Sequence, residues 1–298
     1  MNAPLNLEHL STFVSIVEEG TISAAAYRRG LSQPAVSRQL AALERHVGQR
    51  LVTRSHKEIS LTPAGSLLLE RAHALLRIAA RTVEELNPVT GALSGEIRIG
   101  AAETQGFTHL IRAAQAVRNT NPDVRFSVHS GGGSIVEEGL QSGDFSFGLF
   151  IEPWPLAPYH TIPLPQVDRW GILFPSKSPL ARQTSIALSE LEGIPLFVPE
   201  HVVTPHGLSQ WLGLGSQLTV CGTYNLLFNA SLMVENGAGA ALCIDGLSGH
   251  RRNVRFVPLH PPITSRLHLA WPRHRQLSPL EQAFVQALQH QADEHNLA

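Results

Sequence analysis

The segment that decides the fold reads LSQPAVSRQL, from Leu31 to Leu40. Ser32 can cap a helix, because a serine oxygen accepts a hydrogen bond from a free amide of the first turn. Pro34 is tolerated in that turn, where the amide it lacks would be unpaired anyway. The apolar residues of the helix recur at helical spacing and must face inward: Val36, Leu40, Leu43 and Val47. The opposite face, which includes Ser37 and Arg38, is predicted to face solvent.

Two shorter helices are predicted before this one. The first carries apolar residues at helical spacing from Leu7 to Val17, and Gly20 supplies its C-terminal stop. Thr21 can cap the second helix and Gly30 can close it. Three short helices with a tight turn before the third predict a helix-turn-helix.

A two-stranded wing is predicted directly after the third helix. Arg50–Arg54 forms one strand, Glu58–Leu61 its return, and Ser55–Lys57 the turn. The sequence therefore predicts a winged helix-turn-helix domain over residues 1–62.

A long helix follows, with Thr62 as its cap and Pro63 at its first position. It runs to about Asn87, and at ~1.5 Å per residue it is roughly 35–40 Å long. Its apolar residues form a near-heptad seam of Leu68, Ala72, Leu75, Ala79, Val83 and Leu86. Such a seam favours a partner chain, with burial against the chain's own C-terminal domain as the alternative. Residues 63–91 are thus predicted to be a linker and dimerisation helix with a hinge.

Strands and helices alternate after the hinge. A βαβαβ series covers residues 96–151, and a second series runs from the strand Trp170–Phe174 to the strand Ala240–Ile244. Two further strands and a helix at Ser278–His290 complete the chain. The pattern predicts a doubly wound, parallel α/β domain, with a ligand cleft at the carboxyl ends of its strands.

This α/β domain is predicted over residues 92–298 in two lobes, like a periplasmic binding protein. Lobe I comprises 92–163 plus 266–298, and lobe II comprises 164–265. Proline-rich crossovers are expected to join them, at Pro153–Pro165 and Pro258–Pro262.

Composition excludes several protein classes. With 43% hydrophobic residues the chain can bury a core, and with a net charge of −1 it is not uniformly basic. No apolar run is long enough for a membrane span, and the N-terminus lacks the basic start of a secretory signal, so we expect a cytoplasmic protein without membrane contact. The two cysteines, Cys221 and Cys243, are expected to be buried thiols.

Motifs for catalysis and metal binding are missing from the sequence. None of the 15 histidines stands in a His-Glu-x-x-His arrangement. There is no Gly-x-Ser-x-Gly elbow and no phosphate-binding loop. We therefore expect no enzyme, no catalytic residue, no metal and no cofactor. Two other classes of protein are also considered for a chain with this two-lobed α/β domain, a solute-binding transport component and an α/β enzyme.

The segments around the third helix resemble those of LysR-type transcriptional regulators. The similarity is densest over Ile22–Ala26, Leu31–Leu40 and Leu61–Gly65 (LTPAG), and it continues more weakly through Gly95–Ala101 and Val234–Gly239. The resemblance implies a bacterial, DNA-binding regulator with a small-molecule effector between two lobes. It also implies a homo-oligomer, a dimer through the linker helix and a tetramer in total, and RNA polymerase as a partner if the protein activates transcription. Two positions depart from the family pattern, Val52 in place of Phe and Ser146 in place of Asp.

A recognition helix projects the side chains of its N-terminal half into the major groove. Gln33 can pair with adenine and Arg38 with guanine, whereas arginines of the wing would meet phosphates. Arg28 and Arg29 lie at the end of the second helix. The sequence does not decide whether they contact the DNA backbone. The predicted DNA-binding residues are Ser32, Gln33, Pro34, Ser37, Arg38, Arg50 and Arg54.

The effector is expected to meet residues at strand ends, where helix N-termini and glycines allow close approach. The predicted effector-binding residues are Thr104, Gln105, Gly131, Gly132, Ser134, Glu152, His201, Tyr224 and Asn225. Glu103 and Glu152 flank the expected cleft. They leave open whether the effector is an anion or carries a donor or cationic group.

Overall fold

The computed structural model describes residues 4–54, 59–86, 93–200, 218–249 and 251–296. The chain divides into two compact units, one ending at Pro88 and the other beginning at Val89. We describe each unit by itself.

The first unit begins with the three predicted short helices. Asn6, Thr21 and Ser32 each cap a helix by accepting hydrogen bonds from backbone amides of its first turn. At the other ends, Gly20, Gly30 and Gly48 adopt the left-handed conformation, with φ of 70°, 65° and 75°, which glycine adopts without strain. The helices are α1 (Leu7–Glu19), α2 (Ile22–Arg29) and α3 (Gln33–Val47).

A single apolar core lies between these helices. Its fully buried side chains include Leu10, Phe13, Val36, Leu40 and Leu43. The inward positions predicted for α3 are therefore confirmed, except that Val47 is only partly buried.

The wing is shorter than predicted. Its strands are β1 (Val52–Arg54) and β2 (Ile59–Leu61), paired antiparallel. The predicted turn, Ser55–Lys57, lies outside the described residues. Val52 is buried, so the smaller side chain at this position still joins the core.

The long helix α4 spans Pro63–Leu86. The Thr62 hydroxyl accepts from the amide of Gly65 at 3.0 Å and donates to the carbonyl of Arg50 at 2.7 Å, which fixes the helix start to the wing. Ala72 is fully buried in the core of the unit. Further along, Leu75 and Val83 are 38% and 59% exposed.

The second unit is built on a ten-stranded mixed sheet, in the order β4-β3-β5-β12-β6-β10-β8-β9; β11 also pairs with β6, and β7 pairs with β11. Its strands are β3 (Gly95–Ala101), β4 (Val124–Ser130), β5 (Phe147–Ile151), β6 (Tyr159–Pro175), β7 (Ile186–Ala187), β8 (Pro195–Pro199), β9 (Thr219–Tyr224), β10 (Ala240–Ile244), β11 (Val254–His260) and β12 (Thr264–Pro272). Its helices are α5 (Phe107–Thr120), α6 (Gly133–Gln141), α7 (Leu227–Glu235) and α8 (Pro279–Asn296).

The parallel pairing predicted for the sheet is found at its two ends and in the short pair of β11 with β7. β3 pairs parallel with β4 and β5, and β8 pairs parallel with β9 and β10. In the middle, β12 and β6 run antiparallel to all the strands with which they pair. The α/β class is confirmed, and the sheet is mixed rather than purely parallel.

The first proline-rich crossover, predicted over Pro153–Pro165, is wrong for its second half. β6 begins at Tyr159 and continues for 17 residues, with Pro163 inside it. This part of β6 pairs with β12 on one side and with no described strand on the other. An edge strand tolerates proline because the missing amide would not have bonded within the sheet.

The second predicted crossover, Pro258–Pro262, is also shorter than predicted. Pro258 lies inside β11, opposite Gly171 of β6. The connection between β11 and β12 is therefore limited to the residues between His260 and Thr264.

Two large apolar cores lie on the two parts of the sheet. One contains Ile97, Phe147 and Phe284, and the other contains Trp170, Leu196 and Val257. Cys243 is buried as predicted, and burial raises the pKa of its thiol. Cys221 is exposed, contrary to the prediction, because it lies on β9 at the end of the sheet. The helix predicted at Gly207–Leu212 lies outside the described residues.

Candidate functional site

The first half of α3 presents its polar residues to solvent. Gln33, Pro34 and Arg38 are exposed, and Ser37 is half-buried. Ser32 is also exposed, although its hydroxyl accepts from the Ala35 amide at 3.4 Å as the helix cap. The predicted base-reading residues therefore share one accessible face of α3.

The position of α3 is fixed by polar contacts with α1. The buried Thr12 hydroxyl donates to the side-chain carbonyl of Gln39. The amide of Gln39 donates in turn to Glu8 at 2.9 Å. Because Gln39 follows Arg38 directly, these bonds orient the turn from which Arg38 projects.

The start of the wing is held by Glu44 of α3. Its Oε1 accepts from the amide of Leu51 at 2.9 Å, and its Oε2 lies 3.5 Å from Nη1 of Arg50. The Arg50 side chain is 80% exposed, so it remains accessible to a phosphate. Arg54 belongs to β1, and its side chain lies outside the described part of the molecule.

Arginines at the end of α2 are bound within the unit. Arg28 pairs with Glu19, and Arg29 donates to the hydroxyl of Ser11. Tyr27 beside them is 92% exposed. The sequence pattern did not single out Tyr27; its place on α2, opposite the buried Ala25 and Ala26, was the available signal.

A cleft that is partly open to solvent lies in the second unit. Its walls come from the ends of β3, β5, β8, β9 and β10 and from the starts of α6 and α7. Four of the predicted effector-binding residues line it, namely Gly131, Gly132, Tyr224 and Asn225.

Other predicted effector residues lie outside the cleft lining. The buried Thr104 hydroxyl accepts from the Gly106 amide at 3.0 Å, and Ser134 belongs to the first turn of α6. The Gln105 amide donates to the carbonyl of Gly246 at 2.7 Å, which links the loop after β3 to the loop after β10.

Glu152 bonds to β12 rather than lining the cleft. Its Oε1 lies 2.9 Å from Nε2 of His268, and its carbonyl accepts from the Ser265 hydroxyl at 2.6 Å. His201 lies outside the described residues.

The cleft contains aromatic walls that the sequence pattern did not single out. Phe150 and Trp154 stack with their ring centroids 5.6 Å apart, and Trp170 closes another side. The Trp170 indole donates to Ser265 at 2.9 Å, and the Tyr224 hydroxyl donates to the Leu242 carbonyl at 2.6 Å. Burial raises the pKa of Tyr224 well above its ordinary value, so this hydroxyl remains a donor.

Glu103 carries charge into the cleft. Its Oε2 accepts from the amide of Leu227 at 3.0 Å, at the start of α7. Helix α7 has no side-chain cap of the usual kind, because Leu226 occupies the cap position. Glu103 therefore satisfies one of the free amides of α7 from a segment 124 residues away.

A second acidic group is buried in β6. Asp168 is 3% exposed, and burial raises its pKa from 3.8 to about 6, although hydrogen bonds with Thr104 and Gln166 oppose the shift. Within the described ranges, no three His, Cys, Asp or Glu side chains are grouped as metal ligands. In the same ranges, every helix is too short or too polar to span a bilayer.

Comparison with known proteins assigns both units. Residues 7–66 match the bacterial regulatory helix-turn-helix proteins of the lysR family, and residues 90–293 match the LysR substrate binding domain. The chain belongs to the LysR family. Members of the LysR family are transcriptional regulators that bind DNA, so the predictions of a regulator and of a non-enzyme are confirmed.

Relatives in the LysR family include YnfL of Escherichia coli, an uncharacterized HTH-type regulator that is 26% identical over 94% of this chain and 96% of its own. YfeR of Shigella flexneri is 36% identical over 51% of this chain. The nitrogen assimilation regulatory protein nac of E. coli is 32% identical, also over 51%. These last two matches span about half of the relatives' lengths, 49% and 50%.

Solved LysR structures share the fold. HinK, a LysR family regulator from Pseudomonas aeruginosa, is 26% identical with a TM-score of 0.55 and covers 97% of this chain and 99% of its own. CbnR, solved with its target DNA, superposes with a TM-score of 0.69 at 19% identity, over 97% of this chain and 100% of its own. The predicted combination of a helix-turn-helix with an α/β effector domain is confirmed.

Proposed function

We propose that this LysR-family protein binds specific promoter DNA through α3 and the wing, and that a small molecule in the cleft changes this binding or the transcription that follows. The observation that carries the proposal is the exposed face of α3. Ser32, Gln33, Pro34, Ser37 and Arg38 lie there together on a helix held by Glu8 and Thr12.

Base contacts and phosphate contacts are divided between the two elements. Gln33 and Arg38 have the donor geometry for adenine and guanine edges. Arg50 and Arg54 at the wing carry charge for phosphates, which position the protein without specifying sequence. Tyr27, almost fully exposed on the adjacent helix, offers a further hydroxyl for a phosphate.

The effector site is the aromatic cleft of the second unit. Gly131, Gly132, Tyr224 and Asn225 line it and are the predicted residues that the geometry supports most directly. Thr104 and Gln105 hold the loop that carries Glu103. Ser134 and Glu152 each follow a lining residue in the sequence, Gly133 and Ile151. His201 remains a proposed contact on its sequence position alone.

A homo-oligomer is the proposed working form. The first 90 residues hold 10 basic against 8 acidic side chains, so one chain neutralises few phosphates and duplicated arms are needed for affinity. The apolar side chains of α4 that remain exposed within the first unit supply a dimer seam. We extend this proposal to a tetramer, formed through further contacts between dimers, and to contact with RNA polymerase at activated promoters. Because the protein would bind chromosomal DNA, we place it in the cytoplasm.

The proposed division of the chain follows these roles. Residues 1–62 bind DNA, residues 63–91 dimerise and connect, and residues 92–298 bind the effector. Within the last, lobe I takes 92–163 with 266–298, and lobe II takes 164–265. The described strand β6 belongs to both lobes.

Sequencing of genomic fragments captured by the purified full-length protein tests the proposal. We expect enrichment of a small set of promoter regions, followed by binding to the enriched duplex at least tenfold tighter than to a shuffled duplex of equal length and composition. Equal affinity for both duplexes at physiological salt would refute sequence-specific regulation.

A further inference from the structure

We infer that the effector carries an ammonium group on an apolar body, and that Glu103 binds this group. The inference rests on the proposed function, because it specifies the ligand of the same cleft. It assigns the cleft to organic cations rather than to carboxylates.

The charge balance of the cleft is the first argument. Among the described lining residues, Glu103 is charged and no basic side chain accompanies it. Its Oε2 is occupied by the Leu227 amide, whereas Oε1 receives no hydrogen bond from the residues that the structure describes. A ligand ammonium would supply a positive charge that the described lining lacks, and a ligand carboxylate would be repelled by Glu103.

The aromatic walls are the second argument. The polar atoms of Trp170 and Tyr224 are already committed to Ser265 and Leu242. Trp170 and Phe150 are each 1% exposed. The ring surface open to a ligand therefore belongs mainly to Tyr224 and to Trp154, which stacks on Phe150. Aromatic faces carry partial negative charge and attract organic cations, most strongly where water is excluded.

Two features of the cleft favour acceptor atoms. The indole Nε1 of Trp154 is buried and donates to no atom of the residues that the structure describes. Helix α6 starts at Gly133 without a side-chain cap, so backbone amides of its first turn remain available. They can bind a hydroxyl or carbonyl of the ligand. A ligand with net negative charge could also bind these amides, but it would then be repelled by the Glu103 carboxylate in the same cleft.

Three probes with the same phenylethyl body test the inference on the wild-type, full-length protein. They are 2-phenylethylamine, 3-phenylpropanamide and 3-phenylpropionate, which offer an ammonium, a neutral amide and a carboxylate on the same body. Quenching of tryptophan fluorescence follows binding, because Trp154 and Trp170 line the cleft. We expect the amine to bind at least about tenfold tighter than the carboxylate.

A matched pair of variants locates the effect. Glu103→Gln retains an acceptor for the Leu227 amide and removes the charge. We expect it to weaken amine binding about tenfold and to reduce the ratio of amine affinity to carboxylate affinity. Glu138→Gln makes the same change of charge on α6, outside the cleft lining, and we expect it to leave all three affinities unchanged.

The outcomes separate this inference from the proposed function. Tighter binding of 3-phenylpropionate than of the amine by the wild-type protein overturns the inference and leaves an effector site in place. An unchanged amine affinity in Glu103→Gln, or no binding of any probe, also overturns it. The comparison of the enriched duplex with the shuffled duplex is made without ligand. A protein that showed no preference for the enriched duplex would refute the proposed function, whatever the result with the three probes.

Discussion

Glu44 of α3 accepts a hydrogen bond from the amide of Leu51, at 2.9 Å, and thereby ties the wing to the helix. Leu51 is 1% exposed, so without Glu44 its amide would be buried and unpaired. Glu44→Ala should therefore cost about 1–3 kcal/mol of stability, and Glu44→Gln, which retains an acceptor, should cost less.

Thermal unfolding of the full-length variants, followed by circular dichroism, measures this loss, and hydrogen exchange of the Leu51 amide reports it locally. Glu70→Ala is the control, because Glu70 forms an exposed pair with Arg71, and such pairs contribute little. Unchanged exchange at Leu51 in Glu44→Ala would show that the bond does not hold the wing.

Arg38 and Arg50 should affect DNA binding in different ways. Arg38→Ala should remove about 1–3 kcal/mol of discrimination at one base pair. Arg50→Ala should weaken binding to all sequences alike and reduce the slope of log affinity against log salt by about 0.9 for each phosphate that the arginine neutralised.

Fluorescence anisotropy over a range of salt concentrations, with the operator and with single-base variants of it, separates the two effects. Each arginine serves as the control for the other, since both changes remove one positive charge. If Arg38→Ala altered the salt slope alone, Arg38 would bind a phosphate rather than a base.

The first unit could be predicted closely from the sequence because its signals are local. Thr21, Ser32 and Thr62 each cap a helix within three residues of the amide they accept from. Each glycine after a helix ends that helix through its own positive φ, so no distant residue is needed to predict it. The apolar spacing of α3 then decides which face is buried.

The cleft could be predicted only in part because its contacts are long-range. The partner of Glu103 is Leu227, and Gln105 bonds to Gly246, 141 residues away. The sequence predicts that Thr104 binds the effector, yet its hydroxyl accepts a hydrogen bond from the amide of Gly106 in the same turn. Strand β6 was mistaken in part for a crossover because the tolerance of its prolines depends on neighbours that the local sequence does not reveal.

The seam of α4 should control assembly. Leu75→Glu or Val83→Glu places a charge among side chains that are exposed within the unit and apolar, so it should break a dimer formed through this helix. Ala80→Glu, at an exposed position beside the seam, should preserve the dimer.

Sedimentation equilibrium measures the assembly, and anisotropy with the operator measures its consequence for DNA. We expect the seam variants to sediment with lower mass and to bind the operator at least tenfold more weakly, since a monomer presents a single DNA-binding arm. A dimer that persists in Leu75→Glu with undiminished operator affinity would place the interface elsewhere.

Asp168 should make the second unit less stable as pH rises. Its pKa of about 6 in the folded chain exceeds the ordinary 3.8, so between these values the folded state holds a proton that the unfolded state has lost. Stability attributable to Asp168 is therefore complete below pH 4, declines as pH rises towards 6 and levels off above it. The total decline is roughly 3 kcal/mol, at about 1.4 kcal/mol per pKa unit.

Asp168→Asn removes this ionisation, so its stability relative to the wild type should increase from pH 4 to pH 7 by up to that amount. Urea unfolding followed by tryptophan fluorescence isolates the effect, because all four tryptophans (Trp154, Trp170, Trp211 and Trp271) belong to the second unit. Asp123→Asn, at an exposed position, should show no such trend. A difference between Asp168→Asn and the wild type that is constant across this pH range would mean that Asp168 titrates as it does in the unfolded chain, and that its burial in β6 is relieved by water.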